Sequence, residues 1–316
     1  MTSISPLDRA LAGVGAPAIE VRGVAVHYGA VRAVDGVDMN VQRGEIFGLI
    51  GHNGAGKSTL FKLMLGLIAP SAGEIVIHGT AVRGRDFRTA RRHIGYLPEN
   101  VVLYDNLSGL ETLRFFARLK GAARSQCEPM LARVGLAAAA KRPLREYSKG
   151  MRQRLGFAQA LLGDPRVLIL DEPTNGLDPQ AIREFYATLR ELRDRGVTIV
   201  ISSHILAELQ ERVDRLAIMT TGKIHALGSV QDLRDQMRLP LSVALRLAPG
   251  DVGLAQQAIG TLAGVSRVLT RDGMVLSCPR ELKMAVLGVL AGLGSRVLDL
   301  SIREPSLEDL FFGFSD

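Results

Sequence analysis

Gly51-His-Asn-Gly-Ala-Gly-Lys-Ser-Thr59 lies between a short apolar run, Ile46 to Ile50, and a helix-like stretch, Leu60 to Leu67. The pattern G-x-x-x-x-G-K-[ST] carries meaning when a strand leads into it and a helix follows, and both conditions are met here. Gly51, Gly54 and Gly56 let the backbone turn tightly, so that several N–H groups and a helix N-terminus converge on phosphate oxygens. Lys57 brings a point charge to the β- and γ-phosphates, and the Ser58 hydroxyl can ligate Mg²⁺. The candidate phosphate-binding set is Gly51, Asn53, Gly54, Ala55, Gly56, Lys57, Ser58 and Thr59. The ligand it implies is a nucleoside triphosphate.

At 316 residues the chain has room for about two domains. An apolar share of 47% against 22% charged residues suits a sizeable core and excludes a disordered chain. The longest apolar candidate, Met284 to Leu293, is half the length of a membrane span. Residues 1–17 lack the charged start and apolar centre of a signal peptide and are expected to form a flexible tail. Cys127 and Cys278 stand far apart without a C-x-x-C pattern, which excludes a disulfide framework and points to the cytosol. The net charge of +7 raises the question of nucleic acid. Arg83, Arg85, Arg88, Arg91 and Arg92 form the densest basic cluster, yet only Phe87 interleaves with them and no nucleic-acid module accompanies them. A solvated arginine face, or one facing anionic lipid, is the preferred reading, with no nucleic-acid partner.

Along the chain, Ile19 to Val41 alternates apolar and polar residues and is interrupted at Gly23, Gly29 and Gly36, which predicts short antiparallel strands. A strand follows around Glu74 to Ile77. Ser108-Gly-Leu-Glu111 reads as a capping box opening a helix through Leu119, with Gly121 ending it. A helical insert, about 99–165, therefore separates two strand-rich halves. Val167 to Leu170 and Val197 to Ser202 are apolar strands, the second preceded by a charged helix, Gln180 to Arg195. Strands alternating with helices imply a parallel sheet with its chemistry at the strand C-termini. Beyond Pro240 the pattern changes. Leu241, Val243, Leu245 and Leu247 alternate; a helix, Val252 to Leu262, follows; Val265 to Thr270 and Met274 to Cys278 pair across Asp272-Gly273. A helical repeat from Leu282 to Leu293 and a strand, Val297 to Ile302, complete a β-α-β-β-α-β order of ferredoxin-like type, with a last helix at Ser306 to Phe312. The expected architecture is α/β over 18–239, with a parallel core sheet, an antiparallel β subdomain and a helical subdomain, plus a small α+β unit over 240–316.

Val167-Leu-Ile-Leu-Asp171-Glu172 is an apolar strand ending in two carboxylates. Successive side chains on a strand point to opposite sides, so the two acids are assigned different tasks. Asp171 is placed to hold Mg²⁺ through water, and Glu172 to act as general base on the water that attacks the γ-phosphate. His204, at the end of the strand that closes at Ser202, is a candidate for contacting the γ-phosphate and orienting that water. His27, His52, His78, His93 and His225 show no paired ligand spacing.

Tyr147-Ser-Lys-Gly-Met-Arg-Gln-Arg154, shortly before Asp171-Glu172, resembles the signature motif of ATP-binding-cassette (ABC) ATPases. Around it Tyr28, the phosphate loop, Pro98-Glu99, Asp171-Glu172, Gly176-Leu-Asp178 and Ser203-His204 follow in that family's order, over Ile19 to Gly228. The resemblance implies ATP and Mg²⁺ as ligands and a head-to-tail homodimer with two ATP molecules at its interface. Tyr28 would stack on adenine; Ser148 and Gly150 of one chain would meet the γ-phosphate held by the other; Asp178 would link the two sites. Two departures stand out. Lys149 and Met151 replace the third and fifth residues of the usual Leu-Ser-Gly-Gly-Gln, while Ser148 and Gly150 are kept. Glu99 stands where Gln is expected. A second anion about 4 Å from phosphate costs about 4 kcal/mol at an effective dielectric near 20, so Glu99 is assigned as a Mg²⁺ ligand or as a side chain that swings in only with ATP and Mg²⁺.

Gly95 to Asp105, Phe115 to Ala122, Tyr147 to Gly163 and Glu304 to Asp309 resemble a narrower group, the ATPase subunits of transporters that mature the copper centres of periplasmic nitrous-oxide reductase. That resemblance implies a separate integral membrane permease docking near Glu99 to Gly121, a place on the cytoplasmic face of the inner membrane, a periplasmic partner of the transporter and no direct copper binding. The C-terminal unit would be regulatory or dimerising. An ATPase of a drug, lipid or polysaccharide exporter shares every catalytic motif and is the alternative; a soluble, non-transport cassette ATPase is the third reading.

Overall fold

Gly23 and Gly36 take left-handed backbone where the first hairpin slips its register, between Val21 and Val26 on one strand. Glycine there makes bulges rather than breaks. The alternating segment is therefore two long strands, β1 (Ile19–Tyr28) and β2 (Val31–Val41), not several short ones. The computed structural model describes residues 15–29, 31–236, 240–248 and 250–303. Most of the expected N-terminal tail, the expected helix Ser306 to Phe312 and the stretch Glu304 to Asp309 lie outside them.

The chain divides into two units with the break after Ser229, ahead of the Pro240 position where the sequence pattern changes. In the first unit β3 (Ile46–Ile50) leads into α1 (Lys57–Met64), followed by β4 (Ala72–Ile77), β5 (Thr80–Ala81) and β6 (Ile94–Leu97). The helical insert holds α2 (Gly109–Lys120), α3 (Cys127–Arg133) and α4 (Lys149–Leu161). Then come β7 (Val167–Leu170), α5 (Pro179–Asp194), β8 (Thr198–Ser203), β9 (Arg215–Thr220) and β10 (Lys223–Gly228). Helix α1 begins at Lys57, three residues before the expected start, so Lys57, Ser58 and Thr59 occupy its first turn. The capping box of α2 is present as expected: Ser108 accepts from the Glu111 amide, and Gly121 ends the helix in left-handed backbone.

Two sheets share this unit. One is antiparallel, in the order β2-β1-β4-β5. The other runs β10-β9-β3-β8-β7-β6 and is parallel except for β10. Every residue of β3, β7 and β8 is buried, as strands covered on both faces require. Leu60, Phe61 and Met64 of α1 join one apolar cluster with Val21, Val24 and Met39 of the antiparallel sheet and Leu49 and Val200 of the parallel one. Register then places the chemistry. Ile50 pairs with Ser203, Leu170 with Ile201, and Leu97 with Leu170. The segments that follow β3, β6, β7 and β8 consequently leave the sheet along one edge, the carboxyl edge of a parallel sheet.

The second unit contains α6 (Val230–Gln236), β11 (Leu241–Leu247), α7 (Val252–Ile259), β12 (Ser266–Thr270), β13 (Gly273–Cys278), α8 (Lys283–Gly292) and β14 (Val297–Arg303). Its sheet order is β12-β13-β11-β14 with every neighbour antiparallel, the arrangement of two interlocked β-α-β units. Leu241, Val243, Leu245 and Leu247 pack with Val286 and Leu290 of α8. The hairpin turn is Arg271-Asp272 rather than Asp272-Gly273, because Thr270 already pairs with Gly273. Gly273 is needed instead as a strand residue, where a Cβ would stand 2.0 Å from the Leu245 carbonyl oxygen. Among the described residues no helix is long and apolar enough to cross a membrane.

Each unit has its own core, which predicts independent folding. A chain ended after Ser229 should unfold in one cooperative urea transition. A truncation that binds a hydrophobic dye and loses cooperativity would show that the first unit depends on the second.

Candidate active site

A cleft of about 530 Å³ opens at the carboxyl edge of the parallel sheet, within the range of small-ligand sites. His52 to Thr59 line it, together with Val31, Arg32, Ala33, Glu99, Glu172 and Thr221. Its floor is set by close backbone approaches. Gly56 adopts φ 107 as the N-cap of α1, and a Cβ there would lie 2.4 Å from the Ala33 carbonyl oxygen. No side chain caps α1, so the amides of its first turn remain directed at the cleft as an anion cradle. Gly51 sits beneath, where a Cβ would come within 2.2 Å of the Met219 oxygen.

Lys57 and Glu172 meet at this floor. The Lys57 ammonium donates to the Gly51 carbonyl oxygen and lies 3.2 Å from Glu172 Oε1. Both side chains are 6% exposed. Glu172 Oε2 is 2.8 Å from His204 Nδ1, whose ring is more open to solvent. The carboxylate thus sits between a fixed cation and an imidazole, and its Oε1 receives no well-aligned hydrogen bond from protein. An acceptor held in that condition is suited to take a proton from water.

The backbone directs that carboxylate. β7 stops at Leu170, so Asp171 and Glu172 both lie beyond the strand, and Glu172 takes φ 47, left-handed backbone that a side chain makes costly by about 1–3 kcal/mol. Alternation along a strand therefore does not separate the two acids; this turn does. Ser202 holds it: its hydroxyl donates to Asp171 Oδ1 at 2.6 Å and accepts from the Glu172 amide at 2.9 Å. Sequence reasoning missed Ser202. It also missed Gln153 of α4, whose buried side-chain amide donates to the Pro173 carbonyl oxygen at 3.1 Å. Only the Ser-Ser-His run ending β8 hinted at the first, and nothing local hinted at the second.

Asp171 and Glu99 face a common neighbour. Burial first, then the charges of Asp171 and Glu99, push the Tyr96 hydroxyl up to about 12. Glu99 lines the cleft, and Asp171 follows β7 at the same edge of the sheet. With the Ser58 hydroxyl in the cleft wall the donors are all oxygen, the set that Mg²⁺ takes together with phosphate. The residues present fit the ion.

Other expected site residues stand apart from this cleft. Tyr28 is 55% exposed and pairs with Val31 at the hairpin tip, beside the wall rather than in it. Ser148 caps α4 by accepting from the Met151 amide at 3.2 Å, and Asp178 caps α5 by accepting from the Ala181 amide at 2.8 Å. Gly150 packs on the loop before Asp178; a Cβ on it would stand 2.9 Å from the Gly176 oxygen. The signature segment and the Asp178 loop are thus in contact with each other within one chain.

A family model described as ABC transporter matches residues 34–175. The uncharacterized ABC transporter ATP-binding protein YhcH of Bacillus subtilis is 35% identical over 300 residues, 93% of this chain and 94% of its own length. The daunorubicin resistance ATP-binding protein DrrA3 of Streptomyces coeruleorubidus is 36% identical over 303 residues, with the same shares of each chain. Among solved structures, an ATP-binding subunit of an ABC transporter superposes with a TM-score of 0.65 at 36% identity, over 69% of this chain and 92% of its own. The dimeric bacterial ABC transporter cassette MJ0796 superposes at 0.63 with 25% identity, over 67% and 98%. Similar to YhcH and DrrA3 over more than nine-tenths of its length, the chain belongs to the ABC transporter ATP-binding subunits, ATPases that drive transport.

Proposed function

We propose that the chain is the homodimeric ATP-hydrolysing motor of a transporter whose permease is a separate membrane subunit, held at the cytoplasmic face of the inner membrane. The arrangement of Lys57, Glu172 and His204 around one cleft carries the chemistry. Lys57 and the first-turn amides of α1 bind the β- and γ-phosphates. Glu172 takes a proton from water as its oxygen bonds to the γ-phosphorus and the bond to the bridging oxygen breaks, releasing ADP. His204 steadies the carboxylate and the water. Ser58, Asp171 and Glu99 would hold Mg²⁺, which supplies charge neutralisation at the phosphates when bound.

The dimer is supported by the family resemblance and by the similar cassette MJ0796, which is described as dimeric; Ser148, Gly150 and Asp178 lie outside the chain's own cleft. They are read as completing the cleft of a second copy, with Tyr28 stacking on adenine. Permease docking is read at the helical insert, where Val102, Tyr104, Phe115 and Leu119 are exposed at 88%, 66%, 44% and 68%. Such clustered apolar exposure suits a partner helix. The second unit is read as regulatory or as an aid to dimerisation; size analysis of the chain ended after Ser229, with ATP, tests this, since an unchanged dimer would leave it only regulation.

The cargo pathway has two readings. The resemblance of Gly95 to Ala122, in the docking region, supports maturation of the nitrous-oxide reductase copper centre. Relatives that include a daunorubicin resistance and a lantibiotic transport ATP-binding protein support export of such compounds instead.

Glu172→Gln keeps the shape but not the basicity. It should bind ATP, slow turnover by ~10²–10⁴-fold and accumulate an ATP-bound dimer in size analysis; near-normal turnover would refute the assignment. Glu99→Gln should retain substantial steady-state activity, since the amide oxygen still ligates Mg²⁺ and a like charge is removed. A dead Glu99→Gln beside an active Glu172→Gln would exchange their roles. In the native host, Glu172→Gln should leave nitrous-oxide reductase exported but without a complete copper centre. A fully metallated reductase, together with new drug sensitivity, would decide for export.

A further inference from the structure

The segment between β5 and β6 carries five arginines and one carboxylate, Asp86, within residues 83–92. All five guanidinium side chains, Arg83, Arg85, Arg88, Arg91 and Arg92, are exposed, as is His93 after them. None has an ion-pair partner among the described residues, whereas arginines elsewhere, such as Arg133 with Glu191 and Arg152 with Asp105, do. Unpaired like charges packed so closely repel one another, and the compact fold gains nothing from them. Their backbone is nevertheless fixed. Phe87, in the middle of the run, is 5% exposed and belongs to the core shared by the two sheets. A Cβ on Gly66 would lie 3.0 Å from its ring. Val82 donates to the Ile75 oxygen, Gly84 to Ala81, and both Thr89 and Ala90 to Asp86. The array is presented by a built platform, not by a tail.

We infer that Arg83, Arg85, Arg88, Arg91 and Arg92 form a docking surface for anionic phospholipid headgroups, seating the ATPase on the lipid that surrounds its permease. This rests on the reading that the chain works against a membrane subunit. Guanidinium forks bind phosphate oxygens in pairs, and several of them on one surface add their attraction to an anionic leaflet. Nucleic acid is disfavoured because the one aromatic ring in the run is buried in the core and offers no base a stacking platform.

The test uses the purified full chain and floated vesicles. Binding to phosphatidylglycerol–phosphatidylcholine vesicles should be clear at low salt, weaken as salt rises, and be absent with phosphatidylcholine alone. A basic side chain near an anionic leaflet changes affinity by about fivefold, so Arg85→Glu/Arg88→Glu/Arg92→Glu should lose on the order of 10²-fold or more. The corresponding glutamine triple should fall between it and the native chain, and serves alone if the glutamate variant misfolds. ATPase turnover without vesicles and the thermal midpoint should stay near native in the variant used. Equal binding to neutral vesicles, or native affinity in the variants, would overturn the inference. So would arginine-dependent retention of a single-stranded oligonucleotide, or of detergent-solubilised permease, by a chain that does not float with anionic vesicles. Permease assembly and ATP turnover are read separately, so loss of vesicle binding would leave the motor assignment standing.

Discussion

A carboxylate that is almost wholly buried has to be answered by positive charge, and Lys57 answers Glu172. Lys57 approaches one oxygen and His204 the other. Breaking a buried pair by removing one partner costs about 3–5 kcal/mol, because the remaining charge is stranded. The constraint therefore ties together three parts of the chain that share no sequence neighbourhood: the first turn of α1, the turn after β7 and the end of β8. None can shift alone without breaking the Lys57–Glu172 pair or the His204–Glu172 hydrogen bond. On the proposed function Lys57 would also meet phosphate, and nucleotide binding would then be coupled to the Glu172 carboxylate through one ammonium group.

Everything upstream of that contact is arranged to bring its members to one edge. Parallel pairing of β3 with β8 and of β8 with β7 aligns the strand ends. Ser202 then converts a strand end into a clamp. One hydroxyl serves the Asp171 side chain as donor and the Glu172 amide as acceptor, and so holds the left-handed turn that aims the Glu172 carboxylate into the cleft. The strain of that turn is local; its support comes from a strand thirty residues later in the chain.

Much of this was legible in the chain because the relevant physics is contiguous. The phosphate cradle is a nine-residue run in which Gly51 and Gly56 meet backbone from other segments, and the Ser108 capping box is closed within four residues. Where roles arise from chain crossings the sequence is silent. Ser202 and Gln153 have no local pattern; they matter because of what the fold sets opposite them. Errors of the local kind were also informative. Gly23 and Gly36 resemble strand breakers until the pairing is known, when they prove to absorb a bulge. Asp272-Gly273 resembles a favoured hairpin turn, yet Gly273 is kept small by the Leu245 carbonyl and not by turn geometry. The separation of Ser148, Gly150 and Asp178 from the chain's own cleft follows from tertiary placement, which only the family pattern anticipates.

Helix α4 touches three of the loops at issue. Near its start Gly150 lies against Gly176; one turn on, Gln153 bonds to Pro173, next to Glu172; Gly156 is so close to Leu97 and Val101, which flank Glu99, that a Cβ would come within 2.8 Å of one and 2.9 Å of the other. Gly150 and Gly156 carry no side chain, so the facing segments lie close against the helix backbone. The helix therefore behaves as a shaft with three bearings. A few degrees of tilt would displace the Asp178 loop, the Glu172 peptide and the Glu99 segment together. Timing among these elements then needs no separate signal for each, because one rigid rotation reaches all of them at once.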